Sequence, residues 1–351
     1  MNGYIGVEQL KVSDFRGLHK ASLGGFTGVN ILVGKNGCGK SSILEALYIA
    51  LALDEGLSYV VKRRGWFGLA SVESLFYHES KKVSIEVSLR DNFKEHVIVE
   101  PTVPYANDLN ILKDRGLNIA KLMALQLNAE GKVIRKIKFY IDANGKYQSV
   151  IEQGADTVGV HNSVFLDWNS VHTYGKPEDI YSLMMREGGE EAKRSVIKVL
   201  QTEYDELRDI AVLQVHDEWV LHLAFKDRAI PYYVVGDGVR YALAYLMIVL
   251  RPRKAVLLLE EPELHMHPSL MRITARAILR SFTERRNQVF ISTHSLEFIK
   301  DMIKEAAGLG LRDKDFKIYR LRLVANELDS ETCTLSEAQE VIEKLEWDLR
   351  R

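Results

Sequence analysis

Apolar and polar positions alternate between two periods along this chain. Ile43, Leu44, Leu47, Tyr48 and Leu51 recur at helical spacing, so residues 40–53 are expected to form a helix that buries one face against a sheet. Before it, Ile5 to Ser13 and Ile31 to Val33 read as strands, separated by a glycine-rich turn region at Gly24, Gly25 and Gly28. Val83, Ile85, Val87 and Leu89 alternate with Ser84, Glu86 and Ser88, and His96 to Glu100 returns after a turn at Asp91-Asn92, which predicts an antiparallel hairpin. A second hairpin is predicted from Ile137, Phe139 and Ile141 through the Asn144-Gly145 turn signal into Tyr147 to Ile151. Residues 175–210 are polar with a helical period, carrying Val196, Leu200, Tyr204 and Leu207 on one side. Three buried strands follow at Ala255 to Leu259, Val289 to Ser292 and Lys317 to Val324, with helical stretches between them, so a mostly parallel α/β sheet is expected here. A closing helix from Leu335 to Leu349 opens with the capping-box spacing Ser336-x-x-Gln339.

Length and composition narrow the function classes. The 351 residues are 46% hydrophobic and 27% charged, with 47 Lys and Arg against 48 Asp and Glu, which suits one large or two intimately packed globular domains. A net charge of −1 supplies no global pull toward nucleic acid, so any such contact needs a local patch. Cys38 and Cys333 form no C-x-x-C pair, which argues against a zinc ribbon or a disulfide scaffold and suits a reducing compartment. No basic segment precedes an apolar run at the start, and the longest apolar stretches are far short of a membrane span; secretion and membrane insertion are not expected, and a cytoplasmic location is.

Gly34-Lys35-Asn36-Gly37-Cys38-Gly39-Lys40-Ser41 fits G-x-x-x-x-G-K-[ST], placed between an apolar strand and an amphipathic helix as a phosphate loop requires. Glycines let the backbone wrap closely and turn its N–H groups toward phosphate oxygens, the helix start adds a positive dipole end, Lys40 supplies a point charge, and the Ser41 hydroxyl suits Mg²⁺. Further on, Glu260-Glu261-Pro262-Glu263 puts adjacent carboxylates at the C-terminal end of a buried strand, where open α/β sheets bind ligands. Such a pair suits Mg²⁺ binding by Glu260 and activation of the attacking water by Glu261. Phe290-Ile291-Ser292-Thr293-His294-Ser295 ends another buried strand on His294, within reach of the γ-phosphate or serving as a capping histidine. Glu261, Glu263, His265 and His267 are spaced by two on an irregular turn and carry no strong zinc signature.

Together, Phe15-Arg16, the phosphate loop, Gly236-Asp237-Gly238-Val239-Arg240, Glu260-Glu261-Pro262-Glu263 and Ser292-Thr293-His294-Ser295 resemble an ABC-type ATPase head of the RecF, Rad50, SMC and OLD group. Within that group they are most similar to the compact AAA-family ATPases related to OLD proteins. The resemblance implies an α/β P-loop NTPase of ABC-ATPase type: a mixed sheet, an antiparallel β subdomain and a mostly helical second lobe. It implies a single ATPase domain over 1–351, with lobe I near 1–104 plus 251–330, a lobe II insertion near 105–250, and a C-terminal helix at 331–351. It further implies that ATP is held by residues 34–42, Ser42 included, and by Arg16. Ser41 and Glu260 would hold Mg²⁺, Glu261 and His294 would be catalytic, and Gly236, Asp237 and Gly238 would complete the partner subunit's site in trans. Two departures stand out: Gly236 occupies the usual signature serine position, and Glu260 is one methylene longer than the commoner aspartate. Gln126, Gln148 and Gln153 are candidates for a Q-loop glutamine. The stretch after His294 is too short for the TOPRIM nuclease domain of OLD proteins, so any nuclease is expected to be a separate partner.

Two readings of function follow: a Mg²⁺-dependent ATPase that homodimerises around ATP, or a nucleotide-gated module that switches binding to DNA or to a protein. The long stretch between Lys40 and Gly236 exceeds what a transporter head needs. DNA repair or defence is the setting the resemblance implies. Local candidates for DNA contact are Lys62-Arg63-Arg64, followed by Trp66 and Phe67, and Arg272, Arg276 and Arg280 on one helical face with Arg285 and Arg286 beyond. The same charges also fit the solvated outside of surface helices.

Overall fold

The computed structural model describes residues 6–63, 72–78, 80–90, 93–102, 119–142, 147–155, 159–264 and 266–345. Thirteen of its strands form one mixed sheet. Toward one end of it run β3 (Val29–Val33), β14 (Gln288–Ser292) and β13 (Val256–Glu260), flanked by the edge strand β9 (Ser163–Leu166) on one side and β15 (Phe316–Val324) on the other, all parallel. β3 and β14 are buried along their whole length, because both sheet faces are covered. The period of two divides their side chains between two cores. Val29, Ile31, Val33, Leu257, Leu259, Val289 and Ile291 enter one core, while Leu32, Val256, Leu258 and Phe290 enter the other.

The first of these cores is filled by α2 (Trp168–Thr173), α3 (Pro177–Leu200), α4 (Asp237–Leu250), α5 (Pro268–Arg285) and α6 (Leu296–Gly308). The second is filled by α1 (Lys40–Lys62) and one face of an antiparallel run, β1 (Val7–Phe15), β2 (Leu18–Gly24), β4 (Val83–Leu89), β5 (Lys94–Thr102), β6 (Ile119–Ala129), β7 (Lys132–Asp142) and β8 (Tyr147–Gln153). The order across the sheet is β8-β7-β6-β5-β4-β1-β2-β16-β15-β3-β14-β13-β9, where β16 is Glu327–Thr334. A separate three-stranded sheet, β10 (Leu207–Val215), β11 (Glu218–Phe225) and β12 (Ala229–Pro231), leads through a short 3-10 turn into α4.

Both expected hairpins form, as β4–β5 and β7–β8, although Asp91-Asn92 and Asn144-Gly145 lie outside the described residues. Several expectations are corrected. The glycine-rich turn region starts inside a whole strand, β2, which ends at Gly24 and buries Leu18, Ala21 and Leu23. The helix at 175–210 ends at Leu200, and Leu207 onward is strand β10. α3 is itself broken at Gly189, which adopts φ 61°, a conformation glycine reaches without a steric penalty. The expected lobe boundary at 104/105 lies outside the described residues; on either side of it β5 pairs directly with β6. The closing helix, α7 (Leu335–Leu345), is capped two residues earlier than expected: Thr334 Oγ1 accepts from the Glu337 N–H at 3.4 Å, and Glu337 Oε2 accepts from the Thr334 N–H at 2.8 Å. Ser336 is engaged instead by Asp313 at 2.8 and 2.9 Å. Both cysteines are free, and no helix among the described residues is long and apolar enough to cross a membrane.

Candidate functional site

The parallel register decides where the site lies. Leu32 on β3 stands beside Ser292 on β14, and Ser292 beside Glu260 on β13, so three strands end at one edge. The phosphate loop leaves that edge from β3, the carboxylates leave it from β13, and His294 leaves it from β14. This is the crevice beyond the carboxyl ends of the strands, where α/β sheets bind ligands. A cavity of about 480 Å³ opens there, walled by Asn36, Gly37, Gly39, Lys40, Ser41 and Ser42 together with Arg16, Ser74 and Glu261.

The loop's glycines are required by its shape. Gly34, Gly37 and Gly39 adopt φ 147°, 80° and 97°. A Cβ on Gly34 would come within 2.5 Å of the Leu321 carbonyl oxygen. Gly39 is the N-cap of α1 and offers no side-chain cap, so N–H groups of the first turn stay available to an anion at the cavity wall. The Lys40 ammonium is buried and donates to the carbonyls of Gly34 at 2.8 Å and Lys35 at 3.1 Å. Cys38 is buried beneath the loop, and its N–H donates to the Lys35 carbonyl at 3.2 Å.

On the acidic side, Glu261 has a left-handed backbone, φ 45°, and its N–H donates to the Ser292 carbonyl at 2.9 Å, turning the chain away from the strand. Its Oε1 lies 3.0 Å from His294 Nδ1, so the two candidate catalytic groups meet across β13 and β14. Glu263 is buried behind them, and Thr293 Oγ1 donates to it. Burial pushes the Glu263 carboxyl up to about 7, with Thr293 and His294 opposing the shift and Glu261 adding to it. Glu260 is bound by Arg63 and, unlike Glu261, does not wall the cavity. No cluster of metal-ligating side chains of the zinc kind occurs among the described residues, and His265 lies outside them.

Arg16 walls the cavity with its guanidinium tied to Glu45, to Ser74 Oγ at 3.5 Å and to the Val60 carbonyl at 3.3 Å. Gly236 caps α4 and Asp237 is its first residue, so the glycine-rich element opens a helix as expected, with the Asp237 side chain 87% exposed and paired to Arg240. None of Gln126, Gln148 and Gln153 walls the cavity; they sit on β6 and β8.

Several arginines of the candidate DNA patches are engaged with carboxylates or carbonyls of the chain itself. Arg276 grips Glu305 of α6 through two bonds of 2.8 Å, Arg280 binds Glu284 at 2.8 Å, and Arg272 lies 4.0 Å from Asp301. Arg285 is fully buried and donates to the Arg251 carbonyl at 2.9 Å. Arg63 is buried within the site, while Arg64, Trp66 and Phe67 lie outside the described residues. Arg63 is the residue that sequence reasoning misplaced, because a charge within a basic run reads as surface.

Comparison with known proteins agrees with this geometry. Residues 6–157 match the family "AAA ATPase domain", and residues 173–300 match "AAA domain, putative AbiEii toxin, Type IV TA system". An uncharacterized protein of Methanocaldococcus jannaschii is 28% identical over 225 residues, 62% of this chain and 95% of that protein. An ATP/GTP phosphatase of Helicobacter pylori is 22% identical, covering 88% of this chain and 90% of its own length. Among solved structures, an SMC head bound to the C-terminal winged-helix domain of ScpA superposes with a TM-score of 0.50 at 14% identity, covering 95% of this chain and 99% of that one. Two AAA-domain matches thus follow one another along a chain whose fold is like that of the SMC head.

Proposed function

We propose that this ATPase head works with Mg²⁺ as a head-to-tail dimer that closes around two ATP molecules. The observation that carries the reading is the strand register, which supports one cavity shared by the phosphate loop and Glu261, with His294 bonded to Glu261 beside it. Lys40 and N–H groups of residues 34–42 bind the β and γ phosphates, with Arg16 at the cavity wall. The Ser41 hydroxyl and the Glu260 carboxylate are hard oxygen donors and fit Mg²⁺, which when bound polarises the transferring phosphoryl group. Glu261 takes the proton of the attacking water, and His294, 3.0 Å from it, holds its orientation and senses the γ-phosphate. Gly236, Asp237 and Gly238 present a helix start to the partner's ATP.

Glu261→Gln tests this. It keeps size and removes the base, so turnover should fall by about 10² or more while ATP still binds. The variant should elute as a dimer with ATP and Mg²⁺ and as a monomer without nucleotide, and hydrolysis at the parental rate would exclude the assignment. For what the cycle acts on, the sequence alone favoured DNA or control of a nuclease. The pairing of Arg276, Arg280 and Arg272 with carboxylates favours a protein-directed switch over DNA on this face. Tight DNA binding by the trapped Glu261→Gln dimer at low salt would reverse that preference.

A further inference from the structure

Arg63 ends α1, 7% exposed, and each of its three guanidinium nitrogens meets a different carboxylate. Nε donates to Asp167 Oδ2 at 3.1 Å, Nη1 to Glu45 Oε1 at 2.7 Å, and Nη2 binds Glu260 Oε2. The guanidinium also lies 4.7 Å from the centre of the Phe165 ring. Its anchors are themselves fixed. Glu45 is completely buried and also binds Arg16, and Asp167 caps α2 through its Oδ1, which accepts from the Ser170 N–H at 2.7 Å. Three contacts hold the guanidinium without Glu260, so the fourth imposes a position on Glu260 rather than the reverse.

We infer that Arg63 is the positioning residue for Glu260, pinning one carboxylate oxygen so that the other is presented toward Mg²⁺. The inference rests on the proposed role of Glu260. It also accounts for the extra methylene there. Glutamate has one more rotatable bond than aspartate, and a carboxylate that must meet a metal is usually oriented by an outer partner whose loss costs about 10–100-fold in metal affinity. Arg63 removes that freedom with a fork lysine cannot reproduce.

The probe is a fluorescent, non-hydrolysable ATP analogue, mant-AMPPNP, titrated with Mg²⁺. Arg63→Lys keeps the charge and loses the fork; Arg63→Gln loses both. Both should raise the half-saturating Mg²⁺ about tenfold while leaving analogue affinity in EDTA within twofold of wild type. A purely electrostatic role predicts a different pattern: Arg63→Lys equal to wild type, and Arg63→Gln needing less Mg²⁺ because a nearby cation is gone. That pattern, or unchanged half-saturation in both variants, overturns the inference. If neither variant folds, Glu260→Asp leaves Arg63, Glu45 and Asp167 intact and only withdraws the carboxylate from Nη2. It too should need more Mg²⁺, and a wild-type response would overturn the inference. Glu260→Gln separates the two levels: if it leaves the Mg²⁺ response unchanged, the role of Glu260 itself falls, whereas a weakened response there with normal Arg63 variants removes only the pinning.

Discussion

Glu263 shows what burial does to a single carboxyl beside a reactive pair. Its Oε1 accepts from Thr293, while its Oε2 has no hydrogen-bond partner among the described residues, so the charged form is poorly solvated. The folded carboxyl titrates at about 7 against an ordinary 4.5, so between those values the native state binds more protons than the unfolded chain. Stability is therefore full below that window, falls as pH rises through it, and levels off above. The size is on the order of 3–4 kcal/mol at most, from 1.4 kcal/mol per pH unit. Calorimetry from pH 5 to 8 should show a melting temperature that declines by a few degrees in the wild type and is flatter in Glu263→Gln. Equal slopes would mean that Glu263 does not carry this proton. A neutral Glu263 also spares Glu261 a neighbouring charge at the strand end.

At the level of the element, α1 and its loop stand or fall together. Gly39 must be left-handed, and a Cβ there would approach Leu18 Cδ2 to 2.9 Å. Gly39→Ala therefore combines backbone strain of about 1–3 kcal/mol with a push against β2, and it shifts the helix start that faces the cavity. Nucleotide affinity should fall at least about tenfold, along with the melting temperature. Gly131→Ala is the control. Gly131 also has positive φ, 75°, but nothing lies within 4 Å of its Cβ, so this variant should lose a little stability and bind nucleotide normally. Equal nucleotide affinity in both variants would show that the loop tolerates displacement of the helix start.

For the whole molecule, the question is whether one chain holds a complete site. A Cβ on Gly238 would strike Leu270 Cδ1 of its own chain at 2.8 Å, whereas Gly236 has extended backbone and open space around it. Gly236→Arg is thus the variant that disturbs a partner without disturbing its own fold. Mixed with Lys40→Ala, it should form heterodimers with one intact composite site, recovering up to about half of the activity that each variant alone lacks. Purified heterodimers that remain inactive would argue for a site built within one chain.

Much of this site is local in sequence. The phosphate loop was legible because its glycines, lysine and serine encode a turn and a helix start within eight neighbouring positions. Glu260, Glu261 and His294 were legible because each follows an apolar run short enough to be a buried strand. Strand β2 was obscured by the glycines after it, and β10 by a helical period that ran on past Leu200. The charged residues were the least legible. Arg63 sits in a basic run, yet Asp167 and Glu260 reach it from distant parts of the chain. Arg276 lies on a helical arginine stripe, yet Glu305 of another helix takes its fork. Periodicity and turn chemistry depend on near neighbours, so the sequence by itself determined the elements and the loop. An ion pair depends on which elements pack together, so only the tertiary structure decided which cations face solvent and which hold the site.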